Sequence, residues 1–170
     1  MKKFNLLFIT ILCAISISCS SDDYSTQDQN ISDPIIGQWK IVKESYFDLN
    51  GNLNFEQIPS SCVQQSIESY SPDGTYDWTS YVEESNGDCI NIIASISNGQ
   101  WELLSNGNYK VSGTVEYISS DTFSLNIEYD DATFSNYNSN LSLRASIQEF
   151  DSDGNLEDEY IRVFDYQKIN

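Results

Sequence analysis

Two consecutive segments decide the fold class, YKVSGTVEY at residues 109–117 and TFSLNIEY at residues 122–129. In both, apolar or aromatic residues alternate with polar ones, so one side of each extended segment is apolar. This period of two predicts two half-buried β-strands. The same period recurs at residues 141–147, and residues 159–169 continue it with β-branched and aromatic side chains. No segment carries apolar residues at helical spacing, so the sequence predicts an all-β protein.

Residue pairs typical of tight turns separate the predicted strands. Each pair is Asn or Asp followed by Gly, which supplies the positive φ of a hairpin connection. The pairs are Asn50-Gly51, Asp73-Gly74, Asn86-Gly87, Asn98-Gly99, Asn106-Gly107 and Asp153-Gly154. About eight to ten strands joined in this way form an antiparallel up-and-down meander, which protects its edges best by closing into a small β-barrel. A β-sandwich is the alternative.

The amino terminus has the organisation of an export signal. Met1-Lys2-Lys3 is a positively charged start, residues 4–17 form an apolar run, and Ser18 and Cys19 follow it. The run is too short to span about 30 Å of hydrocarbon as a helix, and polar, acidic sequence comes directly after it. We therefore expect a cleaved signal peptide at residues 1–18.

The end of the run resembles the lipobox of bacterial lipoproteins, in which small residues precede a cysteine that receives diacylglycerol before cleavage on its amino side. Ser18 and Cys19 match that pattern, whereas Ser16 stands where an aliphatic residue is usual. The resemblance implies lipidation of Cys19, and several acyl chains hold a protein durably at a membrane. Ordinary secretion with a free thiol at Cys19 is the alternative.

The residues after the cysteine indicate a location and a domain boundary. Ser20, rather than Asp, resembles the signal for transfer to the outer membrane, and the acidic Ser21-Asp22-Asp23 resembles a surface-export signal of some Gram-negative groups. We expect an outer-membrane lipoprotein of the cell envelope, which faces either the cell surface, as the acidic segment suggests, or the periplasm. Residues 19–33 contain almost nothing apolar and are interpreted as a disordered acidic tether. The folded domain is then residues 34–170.

Charge and composition exclude whole classes of function. The chain has 8 Lys and Arg, 26 Asp and Glu, and a formal charge of −18, and loss of Lys2 and Lys3 with the signal brings the charge to −20. Nucleic-acid binding needs a basic surface that replaces the counterions of phosphate, so we expect no nucleic-acid partner. Histidine is absent, which removes the Ser-His-Asp and Cys-His arrangements and the commonest zinc ligand. We expect no enzymatic activity and no cofactor.

A series of short motifs is similar to the lipocalin-like domains of bacterial envelope lipoproteins. The series comprises Gly37-Gln38-Trp39, Cys62, Ser71-Pro72-Asp73-Gly74-Thr75-Tyr76, Cys89 and Gly99-Gln100-Trp101-Glu102-Leu103. The resemblance covers nearly the whole predicted domain and implies a lipocalin-like antiparallel barrel. In lipocalins the tryptophan of the Gly-x-Trp motif closes one end of the barrel beneath an arginine from near the last strand. Trp39 matches the tryptophan, Arg162 is the expected arginine, and Arg144 is the alternative.

Cys62 and Cys89 are the only cysteines of the predicted domain. Both flank strand segments, and exported proteins fold in an oxidising compartment, so a disulfide between them is expected. A metal or catalytic role would need further partners and is the weaker interpretation.

The acidic segment at residues 151–159 invites comparison with a calcium-binding loop. With Asp151 as the first ligand, Leu156 stands where a helix-loop-helix site needs Gly, and Arg162 where it needs Glu. We interpret the segment as a hairpin turn and expect no metal site there, although loose calcium binding stays open.

Three functional hypotheses remain. The first is a monomeric binding module whose interior holds a small apolar or amphipathic ligand, with Trp39, Trp78 and Trp101 as candidate lining residues. The second is a structural or interaction lipoprotein with a filled core that docks onto another envelope protein. The third, a carboxylate-dependent hydrolase, lacks an identifiable pair of acidic residues in the sequence.

Overall fold

The computed structural model describes residues 33–150 and 154–169. These residues form twelve β-strands, one short 3-10 helix at Val63–Gln65, and no α-helix. The strands are β1 Gly37–Phe47, β2 Leu53–Gln57, β3 Ile67–Tyr70, β4 Tyr76–Thr79, β5 Tyr81–Glu83, β6 Cys89–Asn91, β7 Ile93–Leu103, β8 Tyr109–Tyr117, β9 Thr122–Tyr129, β10 Asp131–Ser135, β11 Asn140–Phe150 and β12 Leu156–Ile169. Within the described ranges, no helix is long and apolar enough to cross a membrane.

The strands form three sheets in which every paired strand is antiparallel to its neighbour. The largest sheet has seven strands in the order β10-β11-β12-β1-β3-β4, with β2 also pairing with β1. A second sheet contains β7, β8 and β9, and a third contains β5 and β6. Consecutive strands mostly pair as neighbours, and β1 also pairs with β12. The predicted all-β, antiparallel architecture is therefore confirmed.

The alternating segments behave as the sequence predicted. Residues 109–117 and 122–129 are β8 and β9, and they pair directly with each other. Val111 and Val115 on β8 and Leu125 on β9 are buried, whereas Ser124 and Glu116 are exposed. The period of two thus positions one face of this hairpin against the core.

Most of the predicted turns lie between strands, and their glycines have a positive φ. These glycines are Gly51, Gly74, Gly87, Gly107 and Gly154. The pair Asn98-Gly99 is different, because it lies inside β7, where the register with β8 shifts between Ser97 and Gln100. The prediction of a hairpin at this pair was wrong. Asn98 has a φ of 54°. The left-handed conformation that Asn readily adopts in turns is used here in a β-bulge.

Two backbone hydrogen bonds connect segments that belong to, or directly adjoin, different sheets. The Trp101 amide donates to the Gly74 carbonyl at 2.8 Å, beside an isolated bridge between Thr75 and Gln100. The Asp130 amide, between β9 and β10, donates to the Arg144 carbonyl on β11 at 2.9 Å. The three-stranded sheet is therefore attached to the seven-stranded sheet on both sides.

One hydrophobic core lies between these two sheets. Its most deeply buried side chains are Trp39 and Leu143 of the larger sheet, Val111 and Val115 of the smaller sheet, and Ile35, which directly precedes β1. Because neither sheet covers its own apolar face, burial of that face requires the other sheet.

The first described residue already belongs to the fold. The Tyr109 hydroxyl donates a hydrogen bond to Oδ1 of Asp33 at 2.7 Å, and the Ile35 amide donates to the same oxygen at 3.0 Å. Asp33, assigned from sequence to the tether, therefore contacts the domain. The predicted signal peptide, Cys19 and the rest of the tether lie outside the described residues.

Candidate functional site: a cavity between the sheets

A cavity of about 280 Å³ lies between the seven-stranded and three-stranded sheets. Most of its wall is aromatic or aliphatic, contributed by β1, β4, β9 and β12, with Val63 of the 3-10 helix at one side. The apolar lining residues are Trp39, Ile41, Val63, Tyr76, Trp78, Phe123, Leu125, Ile127, Tyr129, Phe164 and Tyr166, and the polar ones are Glu44, Ser66, Glu68, Ser80 and Arg162. An apolar wall with a few polar groups is the usual composition of a small-molecule site.

A lateral row of three side chains crosses the wall of the cavity. Trp39 on β1 is the direct partner of Glu68 on β3, and Glu68 is the direct partner of Trp78 on β4. Directly opposed residues of antiparallel strands project from the same face of a sheet. The Glu68 carboxylate therefore lies in the cavity wall between two indole side chains.

Tyrosine hydroxyls surround the Glu68 carboxylate. Tyr166 donates to Oε1 at 2.6 Å, Tyr70 donates to Oε2 at 2.8 Å, and the Tyr76 hydroxyl makes a third, weaker contact. Burial raises the pKa of the Glu68 carboxyl above its ordinary value of 4.5, and the tyrosines oppose that rise without cancelling it. Judged by its solvent-exposed area, Glu68 is half-buried. It is not fully enclosed by protein, because its side chain borders the cavity.

The tyrosines themselves remain proton donors over the whole neutral range. Burial, together with the nearby charge of Glu68, raises the pKa of Tyr70, Tyr76, Tyr129 and Tyr166 well above 10.0. Ionising any of these hydroxyls would place a second negative charge in a poorly hydrated space.

The second carboxylate of the cavity wall is paired. Oε2 of Glu44 accepts hydrogen bonds from Nη2 of Arg162 at 2.6 Å and from the Tyr46 hydroxyl and the Gln57 amide at 2.9 Å. Burial acts to raise the pKa of Glu44, but the Arg162 guanidinium and the two neutral donors outweigh it and hold that pKa below 4.5. This pair adds no net charge to the cavity.

The cation over Trp39 is a lysine. Nζ of Lys168 on β12 lies 5.1 Å from the Trp39 ring centre, and the Trp39 indole donates to the Ile35 carbonyl at 2.6 Å. Arg162, the residue expected over Trp39, instead lies over the rings of Tyr46 and Phe164, at 5.1 and 4.6 Å.

This difference follows from strand register. Lys168 is the direct partner of Trp39, whereas Arg162 is the partner of Tyr46, seven residues further along β1. Arg144, the alternative from sequence, pairs with Asp130 at 3.7 Å. The first and last strands still supply a tryptophan and a cation that meet, but with Lys in place of Arg.

The disulfide predicted from the sequence is present and lies beside the cavity. Cys62 and Cys89 are bonded, with their Cα atoms 5.4 Å apart. Cys62 directly precedes the 3-10 helix that carries Val63, and Ser66 follows that helix. The bridge therefore restrains the segment that forms one side of the cavity.

No group of three or more His, Cys, Asp or Glu residues within the described ranges has the arrangement of a metal site. Of the acidic turn at residues 151–159, residues 151–153 lie outside those ranges, so the structure does not describe the complete turn.

Sequence reasoning found part of this site. Trp39 and Trp78 line the cavity as suggested, whereas Trp101 donates its indole N–H to the Ser71 carbonyl at 2.8 Å and is not among the lining residues. The two carboxylates were missed. For Glu68 a signal existed, because alternation within β3 places it on the same face as buried Tyr70.

Comparisons with known proteins found no relative that shares this site. No protein-family model matches the chain, no curated protein matches it, and no solved structure matches it.

Proposed function

We propose that this protein is a lipid-anchored lipoprotein of the cell envelope whose lipocalin-like domain binds a small apolar or amphipathic ligand without transforming it. The observation that carries the proposal is the cavity of about 280 Å³ with its aromatic and aliphatic wall. Ligand sites usually measure about 300–1,000 Å³, so the occupant is a small molecule.

We also propose that the sheets form one small barrel rather than a sandwich. Pairing of β1 with β12 supports closure on one side. The hydrogen bonds from Trp101 to Gly74 and from Asp130 to Arg144 support continuity from β4 to β7 and from β9 to β11. In such a barrel Trp39, covered by Lys168, stands at one end of the interior, as the lipocalin resemblance implies.

The anchor is proposed on the amino-terminal sequence alone. A Cys19→Ala substitution in the full chain is expected to move the protein from the membrane fraction to the soluble fraction, because the acceptor of the lipid is lost. A Ser20→Ala variant is the matched control and should stay with membranes. Membrane association that survives the loss of Cys19 would contradict the anchor, but not the binding function.

The alternative function is docking onto another envelope protein. It is favoured by three apolar side chains that remain exposed on and beside β2, with exposed fractions of 50% for Leu53, 51% for Phe55 and 77% for Ile58. Exposed apolar residues grouped on one element are typical of interaction surfaces. This alternative does not need the cavity, so a test of the cavity separates the two functions.

The test uses N-phenyl-1-naphthylamine, a neutral apolar fluorophore, with the lipid-free Cys19→Ala form of the full chain. We expect a saturable rise in its fluorescence on binding. Ser80→Phe, which fills the cavity, should weaken binding about tenfold or more, since it removes the space that the probe needs. Ser124→Phe is the matched control, because Ser124 is exposed between two lining residues of β9 and points away from the cavity.

Thermal unfolding of both variants accompanies the titrations, so that a binding loss is read only where the fold is retained. Absence of saturable binding to the parent protein would overturn the proposed function. Equal binding by the Ser80 and Ser124 variants would also overturn it, because the probe would then bind elsewhere.

A further inference from the structure

The cavity contains one carboxylate without a cationic partner. Glu68 takes part in none of the ion pairs formed by the described residues. Its hydrogen bonds come from neutral tyrosine hydroxyls only. An ionised group in a poorly hydrated space is costly unless a charge of the opposite sign compensates it, so this position favours the arrival of a cation.

The other charges near the cavity do not supply that cation. Arg162 is committed to Glu44 at 2.6 Å. Lys168 lies over the Trp39 ring, and Trp39 stands between Lys168 and Glu68 in the row of paired strands. With Glu68 ionised, the lining residues therefore carry one net negative charge.

The neighbours of Glu68 suit an organic cation better than a metal ion. Trp39 and Trp78 flank the carboxylate on the two adjacent strands. Aromatic faces attract ammonium groups that carry carbon substituents. Metal ions that bind oxygen ligands, such as Ca²⁺, need about six of them, and the described residues contain no group of three or more His, Cys, Asp or Glu that could hold a metal ion.

The number of hydrogen bonds that the Glu68 carboxylate can still accept limits which organic cations fit. A carboxylate offers about four acceptor positions, and Tyr70, Tyr76 and Tyr166 already use three of them. About one position is left for an N–H of the ligand. The remaining attraction is between charges and between the cation and the indole rings, which requires no further donors.

We propose that the cavity binds a small amphipathic amine, with its ammonium group against Glu68 between Trp39 and Trp78 and its apolar body against Phe123, Leu125 and Ile127 of β9. This inference rests on the proposed cavity-binding function and names the chemical class of the ligand. Along β9 the wall is formed by Phe123, Leu125, Ile127 and Tyr129, of which only Tyr129 carries a polar group, and such a wall matches a molecule charged at one end only.

An anionic ligand, such as a fatty acid, fits the same wall less well. Its carboxylate would meet the negative charge of Glu68. Arg162 has one N–H without an acceptor, at Nε, but that atom is buried and the guanidinium lies against the rings of Tyr46 and Phe164. A ligand therefore cannot reach the free donor while these rings stay in place.

The experiment compares three probes with one apolar body: 4-phenylbutylamine, 4-phenylbutan-1-ol and 4-phenylbutanoate. Each displaces N-phenyl-1-naphthylamine from the lipid-free Cys19→Ala chain at pH 7.5. The amine should displace the fluorophore at a concentration about tenfold lower than the alcohol, because charge-assisted contacts are stronger than neutral ones. The carboxylate should be the weakest of the three.

A Glu68→Gln variant tests whether the preference for the amine over the alcohol depends on Glu68. Glutamine keeps the size and an acceptor for the tyrosines, so the fluorophore should bind as before while the amine loses its advantage over the alcohol. Glu83→Gln, an exposed glutamate on β5, is the matched control and should retain the preference of the parent.

The outcomes separate this inference from the function on which it rests. If the fluorophore binds but the parent protein prefers the alcohol or the carboxylate to the amine, the inference fails and cavity binding stands. A preference for the amine that survives in Glu68→Gln also overturns it. If the fluorophore does not bind at all, the proposed function fails, and the inference fails with it.

Discussion

Nη2 of Arg162 lies 2.6 Å from Oε2 of Glu44, and this ion pair joins the last strand of the domain to the first. The Glu44 side chain is 9% exposed and that of Arg162 is 29% exposed. A pair buried to this extent adds little net stability, because removing two charges from water is costly. It does require both side chains to stay together, because each buried charge is tolerated only while the other is present. It also forms part of the cavity wall.

Replacing Glu44 with Gln should lower the free energy of unfolding by about 3 kcal/mol, the lower part of the range for removing one member of a buried pair. The reason is that Arg162 would keep its charge and lose its partner. Urea denaturation measures the change. The double variant Glu44→Gln, Arg162→Met should recover part of the loss, and a single variant within about 0.5 kcal/mol of the parent would contradict the role of the pair.

The cost of losing Glu44 should also depend on pH. Because the pKa of Glu44 is held below its ordinary value of 4.5, its stabilising contribution is complete above that value and is lost as the pH falls through the lowered pKa. The difference in unfolding free energy between parent and Glu44→Gln should therefore be largest near neutral pH and smaller in acid. A difference that grows in acid would contradict this direction.

Glu44 shows why part of the site could not be derived from the sequence. Trp39 and Ile41 face the cavity, and a strict period of two would turn residue 44 outward. The register of β1 with β12 shifts between Ile41 and Lys43, and this bulge reverses the alternation, so Glu44 faces inward. A bulge without glycine leaves little trace in a single sequence.

Other parts of the fold could be predicted from the sequence, because they depend on residues that are close together along the chain. The alternation of β8 and β9 and the Asn-Gly and Asp-Gly turns depend on backbone preferences close in sequence. The cation over Trp39 depends instead on the pairing of strands more than a hundred residues apart, so Arg162 and Lys168 could be distinguished only by the register of β12.

Breaking the disulfide should destabilise the domain by about 3–4 kcal/mol in the chain-entropy model, since Cys62 and Cys89 are 27 residues apart. A Cys62→Ser, Cys89→Ser double variant tests this by urea denaturation. Reductant should lower the stability of the parent to that of the double variant and leave the double variant unchanged. A parent whose two thiols are found free by mass mapping under non-reducing conditions would contradict the bridge.

Gly99 should tolerate no side chain. A Cβ at this position would clash with the Tyr76 carbonyl oxygen and lie 2.9 Å from Cγ2 of Ile96, at the junction of β7 with β4. We expect Gly99→Ala to cost about 3 kcal/mol, the upper part of the range for overpacking. Gly87→Ala is the control, because Gly87 has open space around it and a φ of +88°, so only the left-handed strain of about 1–2 kcal/mol applies.

The two alanine variants also distinguish steric contact from backbone strain. Thermal unfolding should show a larger fall in melting temperature for Gly99→Ala than for Gly87→Ala. The opposite order would mean that β4 and β7 do not approach each other closely at this point.

The unpaired Glu68 predicts a pH dependence of the opposite sign to that of Glu44. Burial raises its pKa above 4.5, so the folded state holds a proton that the unfolded chain has already released, and stability falls as the pH rises from 4.5 through the raised pKa. The titratable groups near Glu68 are Tyr70, Tyr76, Tyr129 and Tyr166, and they do not titrate in this range because burial raises their pKa values well above 10.0. The Glu44–Arg162 pair in the same wall keeps its charge there.

Glu68→Gln removes this titration and should therefore be more stable than the parent at pH 7, with the advantage shrinking toward pH 4. Each unit by which the pKa is raised corresponds to about 1.4 kcal/mol. Melting temperatures of the parent, Glu68→Gln and the control Glu83→Gln, measured from pH 4 to pH 8, test the prediction. An advantage that is constant across the series would show that Glu68 does not titrate as a buried acid, and one that shrinks at high pH would require a cationic partner for Glu68 within the chain.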